Sequence, residues 1–250
     1  MPKSKRNKLV SLTKVKKKTK EWKEGLITLV HECVDKYERA YVFKYMNMRN
    51  ARLKELREEL QDSSRFVMGS MKVLRVALGK SAAEEYQDNL HKLGEHLTGN
   101  AGVFFTNLPA AKVTKLFDDF EDIDFARPGS KATQDFVVGE GEVQGPVGPF
   151  PHTLEPVLRR HGLPTKLDKG VIKAVSDYQV CKQGKTLSAD QAALLRHFDI
   201  KMARFKMFLA AEWVKDGGSV NVIRDKEELE ELMELEDMAG EGEEDFLELP

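Results

Sequence analysis

The chain has 250 residues, of which 41% are hydrophobic and 32% are charged, with a formal net charge of −1 at pH 7. This length fits one large domain or two small ones, and the hydrophobic fraction suffices for a packed core. The sequence contains no run of about 18 apolar residues and no apolar leader segment, so we expect neither a membrane span nor a secretory signal. Cys33 and Cys181 form no CxxC pair, which favours free thiols and an intracellular protein.

The small net charge conceals two oppositely charged ends. Residues 1–24 contain ten Lys or Arg and two Glu, whereas residues 225–248 contain thirteen Asp or Glu and one Lys. Such blocks are typical of interaction arms. The basic residues 1–20 suit a nuclear address, a phosphate-binding arm or a merely solubilising tail. We expect the acidic residues 239–250 to be disordered.

Hydrophobic periodicity predicts alternating helices and strands over the first half of the chain. The predicted elements are a helix over 21–39, a strand over 41–46, a helix over 51–60 with Asn50 as its N-cap, a strand ending at 66–68, a helix starting after Gly69, a helix over 82–97, a strand over 103–106 and a helix over 113–120. This order indicates an α/β sheet with short crossovers.

The segment 66–80, FVMGSMKVLRVALGK, combines a strand, a glycine turn and a helix. Gly69 permits a sharp turn at a point where a side chain would clash. Lys72 and Arg75 lie three residues apart and off the apolar stripe, so they share an exposed helix face. Because free N–H groups at a helix start favour anions, the segment predicts a seat for phosphate. The alternative is an ordinary solvated helix face beside a structural glycine.

The chain changes character over residues 125–150, which contain five Gly and three Pro. Farther on, the pattern predicts a helix over 154–161, strands around a turn over 165–185, and a helix over 189–198 that Ser188 caps. Residues 205–214 predict a strand that returns to the first sheet. Residues 125–200 would then be an insertion within one domain rather than a separate domain.

An acidic helix is predicted over residues 225–238. Its apolar residues form one stripe that would dock on the body of the protein: Leu229, Leu232, Met233 and Leu235.

The sequence offers no constellation of residues for catalysis or metal binding. The six His are scattered, and neither HExxH nor GxxxxGK[ST] occurs. No Cys/His pairing has the spacing of metal ligands. We therefore expect a protein that is not an enzyme and that needs no cofactor or metal.

Several segments, taken in order, resemble the acidic ribosomal stalk protein P-zero of the L10-like family. They are MNMRNARLKELR (46–57), MGSMKVLRVALG (68–79), GNAGVFFT (99–106) and, resembling the P-zero insertion domain, GLPTKLDKGVIKAVSDYQVCKQGKTLSADQAALL (162–195). The resemblance covers roughly residues 22–224.

Two features depart from P-zero. The glycine turn of P-zero carries Lys-Asn-Thr, whereas Ser70-Met71-Lys72 follow Gly69 here. The long helical spine and Ala-rich tail of P-zero have no counterpart in this sequence. The opening MPKSKRNKLVSLTKVKKK and the MGxxKVLxxALG form of the turn resemble instead the mRNA-turnover family of nucleolar ribosome assembly factors, a paralogue of P-zero.

The resemblance implies an α/β fold with an L10-like sheet-and-helix domain and an inserted smaller α+β domain. The L10-like, rRNA-binding domain would comprise residues 21–124 and 201–238, and the inserted domain residues 125–200. A basic arm over 1–20 and an acidic tail over 239–250 would flank them.

The resemblance also implies a ribosome assembly factor that binds precursor large-subunit rRNA at the stalk base, where it holds the place later taken by P-zero. Its implied partners are the neighbouring stalk-base ribosomal protein and other assembly factors of the pre-60S particle, including a dual-specificity phosphatase-like release factor. The implied location is the nucleus and nucleolus, with passage to the cytoplasm on late particles. The alternatives are a mature ribosomal stalk-base protein and a factor acting in mRNA turnover.

Recognition of RNA by its shape and backbone requires cations on a rigid edge rather than a catalytic group. The expected RNA-binding residues lie around the start of the second helix and at the glycine turn: Arg49, Asn50, Arg52, Arg57, Gly69, Ser70, Lys72 and Arg75.

Overall fold

The computed structural model describes residues 19–238, so nearly all of the predicted basic arm and the whole predicted acidic tail lie outside the described residues. The helices are α1 (Lys20–Lys36), α2 (Asn50–Glu59), α3 (Met71–Leu78), α4 (Leu90–Glu95), α5 (Ala110–Asp118), α6 (Glu155–Arg160), α7 (Ala189–His197) and α8 (Lys226–Met238). The strands are β1 (Arg39–Met46), β2 (Ser64–Val67), β3 (Ala101–Thr106), β4 (Glu121–Asp124), β5 (Phe136–Val138), β6 (Gly141–Glu142), β7 (Gln144–Gly145), β8 (Gly148–Pro149), β9 (Thr165–Asp168), β10 (Val171–Ala174), β11 (Tyr178–Cys181), β12 (Ala203–Val214) and β13 (Ser219–Val222).

The main sheet has six strands in the order β13-β12-β1-β3-β2, with β4 also paired to β12. All of these pairings are antiparallel, although helices and strands alternate along the chain. The pairing of β12 with β1 confirms that the chain returns to the first sheet after the insertion. β4 and β13 are short strands that the sequence pattern does not predict.

A buried polar cluster joins β1 to β12. Tyr41 lies opposite Glu212 in the strand register, and its hydroxyl donates a hydrogen bond of 2.6 Å to Glu212 Oε1. Arg39 Nη1 donates to the same oxygen at 2.6 Å. Burial, followed by the bond to Glu212, raises the pKa of Tyr41 well above its usual value. The phenol therefore stays protonated over the whole physiological pH range and continues to donate its hydrogen bond to Glu212 inside the sheet.

The two faces of the sheet carry separate hydrophobic cores because successive side chains of a strand point to opposite sides. Ala40 and Val42 of β1 pack on the face that α1, α3, α4 and α8 cover. Tyr41 and Phe43 pack on the other face, which α2 and α5 cover. Burial on both faces explains why the strands consist of nearly continuous apolar runs.

A third core lies within the insertion, between Ala126 and Ala203. It is built from short antiparallel strands and from α6 and α7. The predicted cap of α7 is confirmed. Ser188 Oγ accepts from the Gln191 N–H at 3.2 Å, and the Gln191 side chain accepts from the Ser188 N–H at 2.8 Å. A core and a capped helix of its own are expected of a unit that folds separately, while the domain boundaries at 125 and 200 stay a prediction.

The predicted helix over 82–97 is wrong at its N-terminal half, because α4 begins only at Leu90. Asn89 has φ 60° and ψ 8°, a left-handed conformation that a continuous helix does not allow. Tyr86 instead lies flat against His31 at a ring-centroid distance of 3.9 Å, and its hydroxyl donates to Asp35 at 2.8 Å. These contacts with α1 stabilise an irregular segment where the periodicity indicated a helix.

The predicted N-cap of α2 is also wrong by one residue. Arg49 occupies the cap position, and its side chain makes no capping hydrogen bond to the helix. Arg49 is 7% exposed, and its guanidinium forms an ion pair with Asp124 at the end of β4. Arg49 Nη2 also donates to the Phe125 carbonyl at 2.6 Å. The start of α2 is thereby tied to the point where the chain enters the insertion.

Helix α8 docks on the sheet through its apolar stripe, as predicted, with one exception. Leu229 is 1% exposed, and Leu232 and Met233 are partly buried against the same core. Leu235 is 65% exposed and does not dock, which corrects the predicted stripe.

Replacing Leu229 with Ala should lower the free energy of unfolding by about 2–5 kcal/mol, since it removes buried apolar volume. The matched control Leu235→Ala, on the exposed face of the same helix, should change it by less than about 0.5 kcal/mol. Urea unfolding followed by circular dichroism measures both values. Equal effects of the two substitutions would mean that α8 does not dock in solution.

Replacing Arg49 with Ala should cost about 1–3 kcal/mol, because the Phe125 carbonyl and Asp124 lose their donors. Asp124 is partly exposed, so water compensates for part of the loss. The control is Arg52→Ala on the same helix. Its side chain is 42% exposed, pairs with Glu55 three residues away and lies over the face of the Phe120 ring. If the melting temperature of Arg49→Ala is no lower than that of the control, the contacts of Arg49 with the insertion do not stabilise the protein.

Candidate nucleic-acid interface

A groove of about 550 Å³ opens at one end of the main sheet, between the starts of α2 and α3. Its lining residues come from the end of β1, from α2 and from the turn between β2 and α3: Tyr45, Met48, Asn50, Leu53, Arg57, Met68, Gly69 and Ser70. Four of the predicted RNA-binding residues, from two separate segments of the sequence, therefore meet in one place.

The sheet topology brings the two segments together. β1 and β2 each pair antiparallel with β3, so both strands end where β3 begins. The helices that follow them, α2 and α3, therefore start side by side. The groove is the space between these two helix starts.

Gly69 fits its predicted role in the turn. A Cβ atom at this position would lie 2.6 Å from Cδ2 of Leu26, a residue of α1 that is itself buried in the core. A larger residue would require either the Leu26 side chain or the turn to shift. Close approach, rather than an unusual backbone angle, is the reason for glycine here.

At both helix starts, no side chain of the cap residue accepts a hydrogen bond from the free backbone N–H groups. Neither Arg49, which caps α2, nor Ser70, which caps α3, makes a side-chain capping bond, and no acidic residue lies in the first turn of either helix. Unpaired N–H groups at a helix start carry partial positive charge and bind anions. Two such starts open on the same groove.

Arg57 supplies a full positive charge to the groove. Partial burial, followed by the charge of Arg65, lowers the pKa of Arg57. Within residues 19–238, Arg57 has neither an ion pair nor a hydrogen-bond partner. Arg57 and Arg65 lie near each other, and no described carboxylate lines the groove. The local potential is therefore positive and attracts an anionic ligand.

The remaining predicted residues differ in how free their side chains are. Lys72 is exposed on α3 and forms no ion pair with any described residue. Arg75 donates to the Gly94 carbonyl at 3.0 Å and so fixes the end of α4. Arg52 donates to Glu55 at 2.9 Å, and Arg49 is held at the insertion junction. Contact of any of the eight residues with RNA stays a prediction.

Sequence reasoning missed two residues at this surface. The sequence pattern predicts only that Tyr45 belongs to a strand, yet Tyr45 is half-buried and lines the groove. Arg65 on β2 lies close enough to affect the pKa of Arg57. The alternation of β1 places Tyr45 on the face of Tyr41 and Phe43, and that signal could have identified it. An aromatic ring beside cations suits the stacking of an unpaired base.

Other kinds of site are not found in the described part of the chain. No helix between residues 19 and 238 is long and apolar enough to span a membrane. The same residues contain no group of three or more His, Cys, Asp or Glu that could hold a metal ion. Both cysteines are buried free thiols, and burial raises the pKa of each.

Comparison with protein families gives two matches that together span most of the chain. Residues 18–122 match the family model for ribosomal protein L10. Residues 126–200 match the model for the insertion domain found in the 60S ribosomal protein of this family. The fold is thus an L10 domain interrupted by the insertion domain of the 60S form.

Individual relatives agree with the family matches. Ribosome assembly factor mrt4 of Dictyostelium discoideum is 40% identical over 216 residues, which cover 86% of this chain and 95% of the relative. Ribosome assembly factor MRT4 of Saccharomyces cerevisiae is 35% identical over 229 residues, with coverages of 88% and 97%. Large ribosomal subunit protein uL10 of Methanobrevibacter smithii is 29% identical over 180 residues, 72% of this chain and 52% of that protein. The chain therefore belongs to the mrt4 family of ribosome assembly factors, whose members share the L10 fold with the ribosomal protein uL10.

Proposed function

We propose that this assembly factor binds precursor large-subunit rRNA at the stalk base through the groove between α2 and α3. The observation that carries the proposal is the convergence of two uncapped helix starts and the unpaired Arg57 in a groove without carboxylates. Phosphate contacts of this kind position a protein on RNA without reading its sequence.

The groove also contains features that favour RNA over a small anion. Its lining extends over β1, α2 and the turn before α3, and Lys72 lies on α3 just beyond Ser70. Tyr45 offers an aromatic surface for an unstacked base. A chain of phosphates with a splayed base matches this combination better than a single phosphate does.

The shared L10 fold supports a placeholder role. Two proteins with the same L10 architecture that use the same groove would compete for one rRNA site. We propose that this protein occupies the stalk base before P-zero, beside the neighbouring stalk-base protein. A dual-specificity phosphatase-like factor would release it from the late pre-60S particle. The corresponding location is the nucleus and nucleolus until release.

The double variant Arg57→Gln/Lys72→Gln should weaken binding to a stalk-base rRNA fragment by about tenfold at moderate salt, because two phosphate contacts are lost. The slope of log affinity against log salt should become shallower by about 0.7–0.9 for each contact. Electrophoretic mobility shift or fluorescence anisotropy at several salt concentrations measures both quantities.

The control for this experiment removes the same charge elsewhere. Lys54 and Lys112 are exposed on α2 and α5 and do not line the groove. The variant Lys54→Gln/Lys112→Gln should bind nearly as wild type does. Unchanged affinity in the groove variant, with circular dichroism and melting as in wild type, would assign Arg57 and Lys72 to an ordinary solvated surface.

Competition tests the placeholder role directly. Purified P-zero and this protein, added together to one stalk-base fragment, should give two binary complexes, and each protein should displace the other in proportion to its concentration. Native mass spectrometry resolves the species. A ternary complex with both proteins on one fragment would show that their sites differ, even if each binds RNA alone.

A further inference from the structure

The last turn of α8 covers two cations at the start of β12. Lys206 Nζ lies 2.6 Å from Glu236 Oε1, and Arg204 Nη1 lies 3.7 Å from Glu236 Oε2. Arg204 also approaches Glu121 Oε1 at 3.5 Å. The side chains of Lys206 and Glu236 are each 20% exposed, so this cluster is partly buried at the edge of the protein.

These cations lie at the same end of the sheet as the groove. Lys206 is opposite Met46 in the register of β12 and β1, and Met46 stands between the groove residues Tyr45 and Met48. Arg204 lies two residues nearer the beginning of β12, so its side chain is on the same face as that of Lys206. Met46 packs on the face of the sheet that α3 and α8 cover, so Lys206 and Arg204 lie on the face of Lys72, at the end of the sheet where the groove opens.

The last turn of α8 has fewer stabilising contacts with described residues than the turn around Leu229. It contains no basic residue, whereas Glu234 and Glu236 place negative charge near the C-terminal end, where the helix dipole disfavours it. Leu235 faces solvent. Leu229, which anchors the helix, lies almost two turns earlier. The ion pairs of Glu236 are thus the main described contacts that hold this turn down.

One carboxylate oxygen of Glu236 lacks a hydrogen-bond donor in the described part of the chain. Glu236 Oε2 is buried and lacks a hydrogen-bond partner among the residues that the structure describes. A buried carboxylate oxygen without a donor carries a desolvation cost, which reduces the benefit of docking. Release of the last turn would return this oxygen to water and would leave the Leu229 anchor in place.

We propose that Arg204 and Lys206 are further phosphate-binding residues, which Glu236 covers in the free protein and which the RNA backbone uncovers by displacing Glu236. This inference rests on the proposed RNA-binding function and extends its surface. Glu236 bridges both cations here and Glu121 approaches Arg204 alone, whereas successive phosphates can engage each cation separately and release counterions. The acidic last turn acts as an intramolecular competitor, which lowers the affinity of the free protein for polyanions.

The full-length variant Glu236→Gln tests the proposal. It should bind the stalk-base rRNA fragment about three- to tenfold more tightly than wild type, because the cations no longer have a charged competitor. The control is Glu231→Gln, which changes the net charge equally, since Glu231 is exposed on the same helix and takes part in no ion pair with a described residue. Adding Lys206→Gln to Glu236→Gln should abolish most of the gain. Equal affinities of Glu236→Gln and Glu231→Gln would overturn the proposal.

Amide hydrogen exchange gives a second, independent measurement on wild-type protein. Exchange in the last turn of α8 should become faster when the rRNA fragment is bound, while exchange around Leu229 should stay slow. Unchanged or slower exchange in the last turn of the complex would contradict displacement. If wild type fails to bind the fragment at all, the proposed function fails. If it binds through Arg57 and Lys72 but the α8 measurements show no effect, only this extension fails.

Discussion

The antiparallel pairing of β12 with β1 is the constraint on which the remaining structure depends. β12 follows the insertion, so this pairing joins distant parts of the chain, and the two hydrogen bonds of Glu212 link residues 173 and 171 positions apart. Closing such a long loop has an entropic cost, which the buried strands and the satisfied Tyr41–Glu212–Arg39 cluster offset. Once β12 is in place, the insertion begins and ends at the same end of the sheet as the groove.

That arrangement couples several features along one edge of the molecule. β1 and β2 end there, β3 and β12 begin there, and Arg49 ties α2 to the entry of the insertion. A helix start that lines the groove is thus fixed to the first residues of the insertion domain. The position of the insertion and the shape of the proposed RNA surface cannot vary independently.

The charges of this edge are distributed between free and neutralised cations. Arg57 and Lys72 lack ion pairs with described residues, whereas Lys206 and Arg204 pair with Glu236, and Arg204 also approaches Glu121. A near-zero net charge for the whole chain therefore coexists with a local surface suited to phosphate. The acidic helix α8 contributes to the core through Leu229 and to the electrostatics of the surface through Glu236.

The sequence by itself determined most of the secondary structure, the return of the chain after the insertion and the family resemblance, since periodicity, caps and ordered motifs are local signals. It also identified Asn50, Arg57, Gly69 and Ser70 as candidate site residues in two separate segments. Only the tertiary structure decided that these segments share a groove, because strand order and register depend on pairing with β3. It likewise decided which arginines are free: Arg49 and Arg75 find carbonyl partners 76 and 19 residues away, and no local pattern encodes such contacts.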